Sequence, residues 1–327
     1  MFAITIGKFE ALHRGHNFLI NSTIEYARNF GLESAVMSFD PHPAQVLSDH
    51  GYKPLYPKRE KELLIKSYDF DIDRWLLLPF DLDFASTSPQ AFCHMLNEKF
   101  NCAALIVGEG FRFGRNREGT LQTLRGLQEF PDQCNQPHKI EVITIPLQQT
   151  GGKTISTSLI RNYLSKGQIE EANDMLGRPF FITGTVQKGR QLGRTMGFPT
   201  ANVHPADDKF LPPDGVYASK ITIGGKANAA GVFSFSKSHT TASPAFRSYA
   251  GVTNIGTNPT ITGEIRRKVE THIFDFDEDI YDEEVIVELY GFIRPEQVFS
   301  GLEGLKQQII KDAEMAAFYM STRSNRL

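Results

Sequence analysis

The alternation of apolar and polar residues changes character about half-way along the chain. In the first half, short apolar runs alternate with segments of helical period. Phe2–Ile6 reads as a buried strand, because a brief apolar run bounded by turn residues fits a strand covered on both faces. A loop over 7–15 follows, then a helix from about 16 to 30. Phe18, Leu19, Ile24 and Ala27 recur there at helical spacing, and Gly31 supplies the stop. Residues 34–39, 75–79 and 103–107 repeat the strand signal, with Pro41-His42-Pro43 ending the first of them and a helix over about 89–100 preceding the last. Strands separated by helices predict a parallel, doubly wound sheet whose ligands gather at the carboxyl ends of its strands.

From Phe181 onward the runs are β-branched or aromatic and are separated by Gly, Pro and Asn, at 181–187, 215–223, 231–235, 268–274 and 285–290. Closely spaced strands without helices between them predict an antiparallel barrel or sandwich. One helix closes the chain, with Pro295 near its first turn and Val298, Phe299, Leu302, Leu305, Ile309 and Ala313 on one face. A helical stretch at 158–164 precedes the change of rhythm. The expected domains are therefore 1–178 and 179–327.

Composition narrows the function classes. A length of 327 residues favours two domains, and 40% hydrophobic with 22% charged residues is ordinary for folded protein. Lys and Arg number 35 against 38 Asp and Glu, a net charge of −3, so nothing in the charge balance points to nucleic acid or an anionic membrane. No apolar run approaches the roughly 20 residues of a membrane helix, and the N-terminus runs into a strand without a signal-like core. Cys93, Cys102 and Cys134 are too sparse for a disulfide framework or a zinc site. The expectation is a cytoplasmic protein with small-molecule partners and neither nucleic acid nor membrane, its oligomeric state open.

Candidate chemistry lies in four segments. His13-Arg14-Gly15-His16 stands between the first strand and the first helix. Gly15 allows close backbone approach to a phosphate, the helix start offers free N–H groups, and two imidazoles one turn apart can offset charge developing on a phosphoryl group. At Ile155-Ser156-Thr157-Ser158-Leu159-Ile160-Arg161, three hydroxyls open a helix with an Arg one turn in, which suits pyrophosphate as well as an ordinary N-cap. Gly184 to Gly189, continuing through Gly193 to Pro199-Thr200-Ala201-Asn202, combines a glycine-rich flap with Lys188, Arg190 and Arg194. In an extended segment Thr200 and Asn202, two apart, would face the same way, as shared oxygen ligands of Mg²⁺ must, while P-T-A-N by itself suits a polar turn better. In Val269-Glu270-Thr271-His272-Ile273, alternation sets Glu270 and His272 on the face opposite Val269, Thr271 and Ile273, where Glu270 could serve as a general base. Gly151-Gly152-Lys153-Thr154 lacks the earlier glycine of a P-loop, Leu147 standing in its place.

The H-x-G-H loop and the hydroxyl-rich helix start together resemble the nucleotidylyltransferase superfamily. Gly7-Lys8-Phe9-Glu10-Ala11-Leu12-His13, Phe39-Asp40-Pro41-His42-Pro43 and Gly108 to Gly114 with Arg117 and Gly119 look like the FMN adenylyltransferase module of bacterial bifunctional riboflavin kinase/FAD synthetases. Glu10, Ala11 and Gly110 depart from that family's usual Asp, Gly and Asp or Asn. In the second half, Leu176-Gly177-Arg178-Pro179, Gly197 to Asn202, Pro213-Asp214-Gly215-Val216-Tyr217, Asn254-Ile255-Gly256 with Pro259-Thr260, the Glu270 strand and Ile293-Arg294 resemble the riboflavin kinase domain in order and spacing.

The resemblance implies an α/β chain, with a doubly wound, Rossmann-like nucleotidylyltransferase domain followed by an antiparallel β-barrel kinase domain with a closing helix. It implies phosphorylation of riboflavin to FMN, then adenylylation of FMN to FAD, with ATP as co-substrate and Mg²⁺ as cofactor. The implied catalytic residues are Glu270, His13 and His16. Gly7, Gly15, Ser156, Thr157, Ser158, Arg161, Gly184, Lys188, Gly189, Thr200 and Asn202 would bind nucleotide and phosphate, Thr200 and Asn202 also the Mg²⁺. Phe39, Pro41, Pro43, Phe111 and Arg294 would hold the flavin. Two alternatives stay open on these residues: a kinase alone, with an altered first domain, or a flavin-binding regulatory protein. The segment 236–249 has no assigned purpose.

Overall fold

The computed structural model describes residues 1–48, 51–126, 130–131, 137–138, 140–189, 193, 197–226, 246–259 and 265–323. The chain divides into two compact units, one of residues 1–54 and 68–155 and the other of residues 55–67 and 156–327.

In the first unit the strands are β1 (Phe2–Ile6), β2 (Glu33–Asp40), β3 (Arg74–Pro79), β4 (Cys102–Gly108), the two-residue pair β5 (Phe130–Pro131) and β6 (Pro137–His138), β7 (Glu141–Ile145), and the hairpin β8 (Gln149–Thr150) with β9 (Lys153–Thr154). The helices are α1 (Arg14–Phe30), α2 (Pro43–Leu47), α4 (Leu82–Ala85), α5 (Pro89–Glu98) and α6 (Leu121–Gly126), with α3 (Lys58–Tyr68) grouped through Ser67 with the other unit. Five strands form one parallel sheet in the order β3-β2-β1-β4-β7. Ala3, Ala104 and Ile106 pack on Ala27 of α1, while Ile4, Ile6, Met37 and Leu105 pack on Phe92 and Leu96 of α5. Both faces are thus covered, which is why these strands are apolar throughout. The order reverses between β1 and β4, so the loops after those two strands stand at the switch point, where sheets of this kind bind ligands. Gly151-Gly152 is the turn of the β8–β9 hairpin, with left-handed φ of 54° and 73°, and has no phosphate-loop geometry.

The second unit begins with α7 (Thr157–Ser165) and α8 (Ile169–Leu176). It continues with β10 (Phe180–Gln187), β11 (Thr200–His204), β12 (Gly215–Lys226), β13 (Arg247–Pro259), β14 (Ile265–Ile273) and β15 (Glu283–Pro295). These six strands close an antiparallel barrel in the order β10-β11-β14-β13-β12-β15. The interior includes Ile182, Val203, Ile221 and Val269, with a chain of buried hydroxyls in which Thr253 donates to Ser219 (2.7 Å) and meets Thr271 (2.8 Å). Residues 176–179 form the junction between α8 and β10.

The closing helix begins later than its apolar stripe predicts, at Leu302, and runs to Arg323. Pro295 instead ends β15, opposite Gly215, and Val298 and Leu302 are exposed. The face that meets the barrel is built by Ala313, Ala316, Tyr319 and Met320 against Val216, Ala218, Val252 and Tyr290. The strand read at 231–235 lies outside the described residues, as do Cys134, Arg190, Arg194, Thr260 and positions 236–245 of the unassigned segment. Cys93 and Cys102 are buried in the first core, where burial pushes the Cys93 thiol up to about 11 and the Cys102 thiol further up.

Candidate active sites

The loop after β1 is fixed by its own packing. Phe9 and Leu12, both fully buried, carry left-handed φ of 43° and 40°, a strain that persists only where neighbouring contacts over-determine the backbone. Ala11 is also fully buried and has no positive φ, so this loop does not need glycine there. Gly7 extends β1 by donating to Met37 O (3.1 Å). His13 caps α1: its Nδ1 accepts from the His16 N–H (3.1 Å), and the two imidazoles stack with centroids 3.6 Å apart at 10°. With Nδ1 accepting, neutral His13 carries its proton on Nε2 as a donor. A Cβ on Gly15 would come within 3.3 Å of the His13 ring, so a side chain there would press on that stack. Two stacked imidazoles thus stand at a helix N-terminus beside the switch point, where free N–H groups and the helix dipole favour an anion.

Glu10, only 3% exposed, accepts from the Tyr52 hydroxyl (2.7 Å), and His42 Nε2 lies 3.5 Å from the same carboxylate. The His42 ring stacks on Tyr52 with centroids 4.9 Å apart. His42 also caps α2, its Nδ1 accepting from Ala44 N–H (3.1 Å) while Gln45 Oε1 accepts from His42 N–H (3.1 Å). Pro43 opens α2 and is buried; Pro41 follows a cis peptide bond. The longer acid at position 10 thus joins the loop after β1 to the turn after β2. Tyr52 carries no motif; its only signal is that a buried carboxylate needs a partner.

Phe39 and Phe111 are half-buried ends of one aromatic series. Phe39 contacts Phe80 (5.6 Å) and Phe84 (5.7 Å), Phe84 meets Phe92 (6.4 Å), Phe92 meets Phe113 (5.3 Å), and Phe111 stacks on Phe113 (5.6 Å). Phe80 and Phe84 were not singled out by the sequence.

Ser156, Thr157, Ser158 and Arg161 belong to the second unit. Ser156 is the N-cap of α7, its Oγ accepting from Leu159 N–H (3.3 Å), with Thr157 and Ser158 in the first turn. The Arg161 guanidinium lies over the Phe210 ring at 4.8 Å.

The barrel carries the better-defined site. On β11, Ala201 and Val203 turn inward, leaving Thr200 and Asn202 on the other face; on β14, Val269, Thr271 and Ile273 turn inward, leaving Glu270 and His272. Pairing sets Thr200 directly opposite His272 and Asn202 directly opposite Glu270. Four polar side chains therefore share one patch of sheet. Two cavities meet there. One, of about 250 Å³, is lined by Pro199, Thr200, Asn202, Phe276, Asp277 and Tyr281. The other, of about 410 Å³, is lined by Thr200, Glu270, His272, Arg294, Phe299 and Asp312. Thr200 lines both.

Around this patch, Asn202 donates through Nδ2 to the Thr200 carbonyl (3.4 Å), which turns Oδ1 away from that bond. A Cβ on Gly189 would fall about 2.5 Å from the Asn202 amide, so a side chain there would have to displace either the flap or that amide. Lys188 sits over the Tyr281 ring at 5.5 Å, and Gly184 lies within β10 opposite Val285. Arg294 makes a two-pronged ion pair with Asp312 of the closing helix (2.8 and 2.6 Å) and donates to Pro295 O (2.9 Å). Two neutral oxygens, Thr200 Oγ1 and Asn202 Oδ1, fit a cation that takes its remaining ligands from phosphate and water, as Mg²⁺ does. No larger cluster of acidic, His or Cys ligands occurs among the described residues.

A parallel-sheet domain with a histidine loop at its switch point, followed by a six-stranded barrel with two cavities that share Thr200, is the architecture of a two-domain transferase. A family model described as FAD synthetase matches residues 1–159, and one described as riboflavin kinase matches residues 176–320. The bifunctional riboflavin kinase/FMN adenylyltransferase of Bacillus subtilis is 33% identical over 322 residues, covering 97% of this chain and 92% of that protein. Its Escherichia coli K12 counterpart is 33% identical over 310 residues, covering 94% and 90%. A Streptococcus pneumoniae crystal structure titled as a macrolide-efflux protein superposes with a TM-score of 0.78 at 27% identity, covering 96% of this chain and 93% of that one. In this chain, no helix among the described residues is long and apolar enough to cross a membrane. The chain belongs to the bifunctional riboflavin kinase/FMN adenylyltransferase family, whose field is flavin cofactor biosynthesis.

Proposed function

We propose that residues 179–327 phosphorylate riboflavin to FMN with Mg²⁺–ATP and that residues 1–178 adenylylate FMN to FAD. The observation that carries this reading is the cross-strand quartet at the meeting of two cavities, Thr200 opposite His272 and Asn202 opposite Glu270. The nucleotide takes the smaller cavity, with Phe276 and Tyr281 beside its base and Gly184, Lys188 and Gly189 in the flap over its phosphates. The flavin takes the larger one, closed by Phe299 and by the Arg294–Asp312 pair. The ribityl hydroxyl gives its proton to Glu270 as its oxygen bonds the γ-phosphorus, and the bond to the β-phosphate oxygen breaks to release ADP. Thr200 and Asn202 would hold the Mg²⁺, which supplies charge neutralisation at the phosphates.

In the first domain, an FMN phosphate oxygen bonds the α-phosphorus of ATP and pyrophosphate leaves. His13 and His16 donate to the α-phosphoryl oxygens, with Gly7 and Gly15 allowing the phosphates to approach the backbone. Ser156, Thr157, Ser158 and Arg161 are assigned to the pyrophosphate. Phe39, Pro41, Pro43 and Phe111 are assigned to the isoalloxazine.

Crossed variants test the division of labour. Glu270→Gln is expected to abolish FMN formation from riboflavin while leaving FAD formation from supplied FMN intact. His16→Ala is expected to do the reverse. Loss of both activities in either variant contradicts separate sites.

A further inference from the structure

His272 is the member of the quartet to which no chemical role has been given. Its Nδ1 lies 2.9 Å from the Pro199 carbonyl oxygen, which can only accept, so Nδ1 carries the proton and donates. The ring is held edge-on between Phe198 (centroids 5.3 Å, 75°) and Phe274 (5.9 Å, 67°). It forms part of the wall of the larger cavity, while Pro199, whose carbonyl it grips, lines the smaller one. The Pro199 carbonyl belongs to the same planar peptide as the Thr200 N–H, so fixing that oxygen fixes the peptide plane from which Thr200 projects. Proline at 199 has no N–H of its own with which to tie this turn. Phe198 N–H, one residue earlier, donates to Gly193 O (2.8 Å), and the β11–β14 pairing begins at Thr200, so the Pro199 carbonyl lies between these two backbone anchors and is itself held by the His272 side chain.

We propose that His272 is a positioning residue for the phosphoryl donor: by holding the Pro199–Thr200 peptide it sets the Thr200 hydroxyl at the boundary between the two cavities. It lines the acceptor's cavity yet acts on the donor's side. This rests on the assignment of Thr200 to the Mg²⁺–ATP complex, and the test separates the two claims.

The measurement is steady-state riboflavin phosphorylation by the full chain, with Mg²⁺–ATP and riboflavin varied in turn, for Thr200→Ala, His272→Ala, His272→Asn, His272→Gln and the Thr200→Ala/His272→Ala double variant. Loss of one neutral hydrogen bond at a ligand-bearing peptide corresponds to a rise in the KM for Mg²⁺–ATP of about tenfold in His272→Ala, with the KM for riboflavin held within about twofold. Asn places an amide N–H where Nδ1 stood and restores the donor-side KM to within about threefold; Gln, whose amide is one carbon further out, does not. In the double variant the two effects are less than additive, because a displaced peptide has no Thr200 hydroxyl left to misplace. If Thr200→Ala leaves the KM for Mg²⁺–ATP unchanged, the Thr200 assignment fails and the inference with it. If Thr200→Ala raises it and His272→Ala does not, or raises only the KM for riboflavin, the inference alone is overturned. Should His272→Ala fail to fold, the comparison of His272→Asn with His272→Gln decides: equal donor-side KM values overturn the proposal.

Discussion

Gly189 and Asn202 show how much of this chemistry depends on single atoms. The flap backbone lies so close to the Asn202 amide that a methyl group on Gly189 would overlap it. Asn202 cannot retreat inward, because its neighbours Ala201 and Val203 fill the barrel side of β11. Gly189→Ala is therefore expected to displace either the flap or the amide, raising the KM for Mg²⁺–ATP on the order of tenfold. The melting temperature should move little, since Gly189 itself contributes no apolar side chain to the core. Titration of initial rate against Mg²⁺–ATP, with thermal melting alongside, checks both. Glu10 is the corresponding case in the first domain. It does not open the loop; it bonds Tyr52 and approaches His42, so the longer side chain reaches partners within its own domain.

At the scale of elements, α3 illustrates what periodicity could and could not show. The strands β1, β2, β3, β4, β10, β12, β14 and β15 were legible within a few residues because their apolar runs are short and punctuated. Other elements were not, and three of them show why. β7 (Glu141–Ile145) is a single short strand among loops, and β13 is rich in Gly, Asn, Ser and Thr and so lacks a strand-like run. α3 has too charged a sequence, KREKELLIKSY, to announce a buried face. Its anchor is Glu60, which is buried with Lys209, a residue 149 positions away. Lys209 Nζ donates to Glu60, to Leu55 O (2.6 Å) and to Phe181 O (2.8 Å), while Glu60 Oε1 accepts from the Thr183 N–H (2.8 Å) and hydroxyl (3.1 Å). Tyr56 and Phe180 cover the ammonium with their rings at 4.4 Å. No window of sequence contains such a pair. Removing one partner leaves the other buried and uncompensated, so Lys209→Met should cost about 3–5 kcal/mol in denaturant unfolding. A loss under about 1 kcal/mol would show that the pair does not hold α3 on the barrel. The closing helix was legible as a helix but not in its start: Pro295 serves β15, and the apolar residues just after it lie ahead of the first turn.

At the scale of the whole molecule, the two-domain fold class was legible from the rhythm of the chain, and the candidate site residues from the short motifs H-x-G-H, P-T-A-N and E-T-H, because groups proposed to bind phosphate and metal need only a few ordered residues. What the sequence could not supply was the cross-strand register that places Thr200 before His272 and Asn202 before Glu270, because 70 or so positions separate the paired strands. Nor could it show that Ala11 is accommodated without a left-handed backbone, or that Glu10 has partners. Those two departures from the family pattern, together with Gly110, raised the alternative of a kinase alone. The structure accommodates Ala11 and gives Glu10 a partner, and the bifunctional relatives, matched over nearly their whole length, support two reactions in one chain. The most direct test is a chromatographic time course with riboflavin, ATP and Mg²⁺, repeated with FMN as the starting flavin. The account predicts FMN followed by FAD in the first case and FAD directly in the second. FMN without FAD from riboflavin, with supplied FMN left unchanged, would contradict it.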